Sequence, residues 1–134
     1  MKMNFIMACG LSWLLSTGTT PALGMDRWSA LSLIESGNDD SAIGRAGEVS
    51  RYQIKPGLWH KFGGPASRLA RANPQTALGI AQAIMRGRCA DFERQFHRAP
   101  TDFEYYILWN APAQINRAGR AVSERARRFS HLVH

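Results

Sequence analysis

Cysteine is nearly missing from this chain, with two in 134 residues. Cys9 falls in an apolar N-terminal run, which leaves Cys89 alone in the remainder and excludes an internal disulfide there. Cys89 reads as a small buried hydrophobe on a helix. Histidine is scarce too, and His60, His97, His131 and His134 are too scattered for a ligand cluster. No metal and no cofactor are therefore expected. No apolar run reaches the roughly 20 residues of a bilayer-spanning helix, so a stable membrane anchor is not expected either. Acids are outnumbered, 10 against 17 basic residues, for a formal charge of +7. Such an excess suits an anionic cell envelope or nucleic acid. There is no internal repeat, low-complexity segment or linker.

What is present begins with a leader. Lys2 precedes the apolar run Phe5 to Leu15, and Ala22-Leu23-Gly24 puts small residues at the two positions a signal peptidase reads. Residues 1–24 thus read as an export signal. Cys9 lies too early for a lipoprotein signal, because the apolar run continues past it. Residues 25–134 are enough for one small domain. It is expected to be exported, periplasmic or extracellular, and to act as a monomer. Export argues against a nucleic-acid partner.

Asp26 is a plausible cap for a helix that starts near Arg27. Trp28, Leu31 and Ile34 recur at helical spacing, Leu33 widens the stripe, and Gly37 stops it. From Gly37 to Ser50 polar and small residues forbid a long helix. Tyr52-Gln53-Ile54 then has a strand-like alternation. Pro56 opens a short helix carrying Leu58, Trp59 and Phe62. Asn73-Pro74 starts another, with Leu78, Ala81 and Met85 in one stripe and Cys89, Phe92 and Phe96 continuing it. Thr101-Asp102-Phe103-Glu104 is a capping box. In the helix it opens, Phe103, Tyr106, Ile107 and Asn110 share a face. Val122, Ala126, Phe129 and Val133 mark a C-terminal amphipathic helix, with Arg120, Arg127 and Arg128 on its solvated face. The class expected is α+β, mainly α, with a small β-like insert after the first helix.

Glu35 lies in the last turn of that first helix, beside Ile34. The negative end of the helix dipole and apolar neighbours both disfavour its ionised form. A tightly held proton is what a general acid needs near neutral pH. Taken alone, a solvated glutamate at a helix end is the simpler explanation.

Glu35-Ser36, Ala42, Gly47 and Gln53-Ile54-Lys55-Pro56 stand in one register, and Leu108-Trp109-Asn110-Ala111 follows on a later helix. These residues resemble the lytic transglycosylase family of the lysozyme-like superfamily, in its soluble-transglycosylase and goose-type-lysozyme branch. The resemblance covers nearly all of 25–134. It implies a lysozyme-like helical domain that cleaves the β-1,4 bond between N-acetylmuramic acid and N-acetylglucosamine in peptidoglycan. Glu35 would match the catalytic acid, which then acts as base on the muramyl C6 hydroxyl and leaves a 1,6-anhydro end. Ser36, Tyr52, Gln53, Trp109 and Asn110 would be substrate-binding residues, with Ser36 supporting the carboxylate or the turn after it. Gln53 serves almost as well to hold the insert against the helices, and Trp109 could offer a sugar-stacking surface, although a tryptophan at such a place more often fills the core.

Gly44 stands where many members have Ser, Lys55 where Met is common, Trp109 where Tyr is usual, and Pro112 where Gly is usual. Glu48 stands where Ala is frequent and is a candidate second carboxylate, for hydrolysis with inversion as in a goose-type-like lysozyme. Arg45 and Arg51 nearby suggest instead that Glu48 forms a structural ion pair. Asp39 and Asp40 read first as turn chemistry. A non-catalytic peptidoglycan-binding module is the alternative from another class.

Overall fold

The computed structural model describes residues 24–134, so the leader expected over 1–24 lies outside the described residues except for Gly24. The chain is mainly helical. Helix α1 (Arg27–Ser36) starts where the Asp26 carboxylate accepts the backbone N–H groups of Trp28 and Ser29. It ends at Gly37, whose φ of +67° turns its N–H onto the Leu33 carbonyl. A left-handed residue at this position is what a Cβ disfavours and glycine allows. Ala30 and Leu31 face the core, and buried Ser32 satisfies its hydroxyl on Asn38 Oδ1 at 2.7 Å. Leu33, expected to widen the apolar stripe, is 39% exposed instead of buried.

After the insert come α2 (Pro56–Lys61), a short α3 (Arg68–Arg71), and α4 (Pro74–Phe96). The Asn73 side chain caps α4 on Thr76 N–H, and Pro74 takes the first helical position, where a missing N–H costs nothing. The helix runs through Gly79 and Gly87 without a break and buries Ala77, Ile80, Ala81, Ile84, Met85 and Phe92. Its apolar side is long enough to outweigh two unfavourable glycines.

Helix α5 (Asp102–Asn110) opens on the expected capping box, with Thr101 and Glu104 bonding each other's backbone. Arg98 beside it holds the Glu104 carboxyl down at about 2. Five consecutive residues, Tyr105 to Trp109, are buried. A helix buried on every side is the centre of a bundle, not its wall. The single apolar face expected for this segment is therefore too narrow a description. A short 3-10 turn (Pro112–Gln114) leads to α6 (Arg120–Val133), which lies along α5. Ala126 lets the two helices approach, and the buried Phe129 ring sits 5.9 Å from Tyr105 and 5.7 Å from Tyr106. Burying a side chain of that size contributes about 1.5–3 kcal/mol.

Helix α1 packs on α6, and α4 packs on α5. The ends of the described chain meet: Met25 N–H donates to Leu132 O at 2.8 Å, and Asp102 binds both Arg27 and His134. Among the described residues no helix is long and apolar enough to cross a membrane.

The insert between α1 and α2 contains two isolated antiparallel bridges, Ile43 with Val49 and Val49 with Ile54, and no regular strand. Tyr52 and Gln53, expected to alternate as a strand, sit in the turn that connects Val49 to Ile54. Ser50 and Gln53 both have left-handed backbones, with φ of +70° and +51°. For residues with a Cβ such conformations cost of order 1–3 kcal/mol each and persist only where the surroundings fix them. Here Gln53 N–H and its side-chain amide both donate to the Ser50 carbonyl. The insert is pinned to α1 by Ser36 Oγ, which donates to Arg51 O at 2.8 Å, while Arg51 grips Asp40 with two hydrogen bonds. Asp39 makes the expected turn, accepting from Ser41 N–H and Oγ.

Candidate active site

Glu35 stands one residue from the end of α1, turned toward α5. Desolvation is the largest influence on its carboxyl and raises its pKa. The Tyr106 hydroxyl, donating to Oε1 at 2.5 Å, pulls the other way, as does the Arg125 guanidinium, while the Glu48 charge raises it further. The net direction is upward. Tyr106 is fully buried, and its phenol is itself raised by burial and by the neighbouring carboxylate. It therefore stays protonated and acts as a donor across the whole working range of a carboxylic acid.

Glu35 opens onto a cavity of about 470 Å³ between the insert and the helices. This lies in the size range of small-molecule pockets. The insert contributes Gly44, Glu48 and Gln53; the helical side contributes Leu58, Trp109 and Asn110. Arg45, Lys55, Arg88 and Arg125 stand around it, so four basic groups face two acids. Arg88 reaches from α4 and donates to the Leu108 and Trp109 carbonyls, at 2.8 and 2.6 Å, closing the C-terminal end of α5. Burial pulls its guanidinium below the ordinary value. Arg125 comes from α6 and makes a long 3.5 Å contact with Asn110 Oδ1.

Gly44 and Glu48 fit together. A Cβ at Gly44 would lie 2.2 Å from Glu48 Oε2 and 2.6 Å from Gln53 Oε1. The carboxylate thus fills the space that a side chain at position 44 would take. Glu48 does not pair with Arg45 or Arg51, contrary to the ion pair expected from their closeness in sequence. Arg51 is committed to Asp40, and Glu48 Oε2 accepts the Ala46 N–H at 3.0 Å. The second carboxylate is therefore free of a cation partner among the described residues and lies on the cavity wall.

Of the residues singled out from sequence, Glu35, Glu48, Gln53, Trp109 and Asn110 line this one cavity. Ser36 and Tyr52 do not. Ser36 spends its hydroxyl on Arg51 O and accepts Asp39 N–H, which makes it a joint between helix and insert. Tyr52 is buried edge-on between Trp28 and Trp109, with ring centroids 5.9 and 6.4 Å away. Three residues were missed: Tyr106, Arg88 and Arg125. Tyr106 had a signal, since it lies one turn before Asn110 on the same helical face. The two arginines had none, because each reaches the cavity from a distant helix.

Comparison with known proteins finds no matching family model, no matching curated protein and no matching solved structure. Among the described residues no group of three or more His, Cys, Asp or Glu is disposed to hold a metal ion. The chemistry offered by the cavity is that of a carboxylic acid with a raised proton affinity, a second carboxylate, two amide side chains and an excess of positive charge.

Proposed function

We propose that this protein is a lysozyme-like, exported peptidoglycan lytic transglycosylase. The observation that carries the proposal is the Glu35 carboxyl, desolvated at a helix end, oriented by the Tyr106 hydroxyl, and opening onto a cavity shared with Gln53 and Asn110. Glu35 protonates the oxygen that bridges N-acetylmuramic acid and N-acetylglucosamine, and the bond to the muramyl C1 breaks. The carboxylate so formed takes the proton of the muramyl C6 hydroxyl, whose oxygen closes on C1 to give a 1,6-anhydro end. One group thus serves as acid and then base, which requires a proton affinity near the working pH. The basic rim suits an anionic polymer.

A second proposal, hydrolysis of the same bond, is favoured by Glu48. Its carboxylate lines the same cavity as Glu35 and has no ion-pair partner among the described residues, which supports a role as the general base that activates water. Mass spectrometry of the products from purified sacculi separates the two. Anhydro-muramyl ends are expected; reducing ends would transfer the assignment to a goose-type-like lysozyme. Absence of any released muropeptide from the wild type would leave a wall-binding module.

A further inference from the structure

Arg125 is under-used by the protein around it. Its Nε is buried and has no hydrogen-bond partner. Its only polar contact among the described residues is the 3.5 Å approach of one terminal nitrogen to Asn110 Oδ1. Glu35, whose carboxyl feels its charge, already accepts from Tyr106. A guanidinium carries five donors in a planar fork that matches a carboxylate, and leaving them unmatched in a half-buried place is unfavourable. Arg45 and Lys55 stand on the same cavity, and neither forms an ion pair or side-chain hydrogen bond among the described residues. The cavity therefore holds more positive charge than the protein itself answers.

We propose that Arg125 is a specificity-determining residue that binds a carboxylate carried by the muramyl residue of the substrate, with Arg45 and Lys55 reinforcing the local potential. The inference rests on the peptidoglycan assignment, because it names which part of that polymer answers the charge. Two carboxylates qualify. One is the lactyl acid of muramic acid, free on strands whose stem peptide has been removed; the other belongs to the stem peptide. Recognition by Arg125 would distinguish a muramyl strand from a neutral N-acetylglucosamine polymer of the same geometry.

The test is binding to the Glu35→Gln variant, which holds substrate without turning it over. Four tetrasaccharide probes are compared: a muramyl–glucosaminyl free acid, its lactyl methyl amide, its stem-peptide form, and N-acetylglucosamine tetramer. At least tenfold tighter binding of the free acid than of the methyl amide is expected if the lactyl group is the ligand. A gain confined to the stem-bearing probe assigns the site to the peptide carboxylate. In either case E35Q/R125Q loses the gain, and E35Q/R125K keeps part of it. Equal affinity of E35Q for all four probes overturns the proposal without any Arg125 variant having to fold. An R125Q effect that weakens the neutral tetramer as much as the charged probes also overturns it. If sacculi release nothing yet the Arg125-dependent preference remains, the catalytic assignment fails and the carboxylate site stands.

Discussion

Replacing Tyr106 by Phe removes one oxygen from a fully buried ring and leaves its packing on Phe129 in place. The effect is therefore the loss of the 2.5 Å hydrogen bond to Glu35. A bond to a neutral carboxyl contributes about 0.5–1.5 kcal/mol, and one to a carboxylate about 1.5–3 kcal/mol. The cost of Y106F should accordingly be near the lower range in acid, where Glu35 is protonated, and near the upper range above its titration. The same substitution removes an influence that lowers the Glu35 pKa, so the basic limb of the kcat/KM profile should move to higher pH. Activity at the optimum should fall, because the carboxyl loses the donor that orients it. Urea unfolding at acid and alkaline pH, repeated in an E35Q background, measures the coupling directly. An equal cost at both pH values and in both backgrounds would refute the reasoning, as would a limb that moves to lower pH.

Glu35→Gln should lower turnover on sacculi by at least the 10²–10⁴-fold typical of a lost general acid, read as muropeptide release. It should also stabilise the fold above the titration range. Because burial raises the folded-state pKa of Glu35, the native protein keeps a proton there that the unfolded chain has released; stability falls as pH rises from the unfolded to the folded pKa, then levels, and E35Q removes that slope in unfolding midpoints. Glu48→Gln keeps a side chain of the same size beside Gly44 and removes its charge; reducing-end products should drop if Glu48 is the base, and the anhydro product should persist if it is not. Ser36→Ala should lower stability by about 1 kcal/mol in chemical denaturation without changing the affinity of E35Q for sugar, because its hydroxyl joins α1 to the insert. Arg88→Met should cost about 1.5–3 kcal/mol in the same assay, since two carbonyls at the end of α5 lose a charged donor.

Much of the helical frame is legible in local chemistry. Asp26, Asn73 and Thr101 cap helices through their own side chains, and Gly37 stops α1 because only its backbone takes the left-handed turn without strain. These are signals within a few residues. The insert was harder, because Tyr52 and Gln53 have the composition of a strand while tertiary packing on Trp28 and Trp109 and the Ser50 carbonyl draw them into a turn. Glu48 shows how closeness in sequence misleads: Arg51 is three residues away, yet it pairs with Asp40 eleven residues upstream. The contact that orients Glu35 spans 71 residues, and no periodicity carries information over such a distance. Arg88 and Arg125 were hidden for a related reason. On a basic helix one inward arginine is indistinguishable from its solvated neighbours until the bundle is assembled.

The seam where Met25 N–H meets Leu132 O has a mechanical meaning. The helices that begin and finish the domain are also those that hold Glu35 and Arg125. That hydrogen bond and the packing of α1 on α6 therefore help to fix where the acid stands relative to the guanidinium. Splicing the two extremities with a short bridge would reinforce that seam, since the unfolded chain would then have less freedom to lose when α1 and α6 come together.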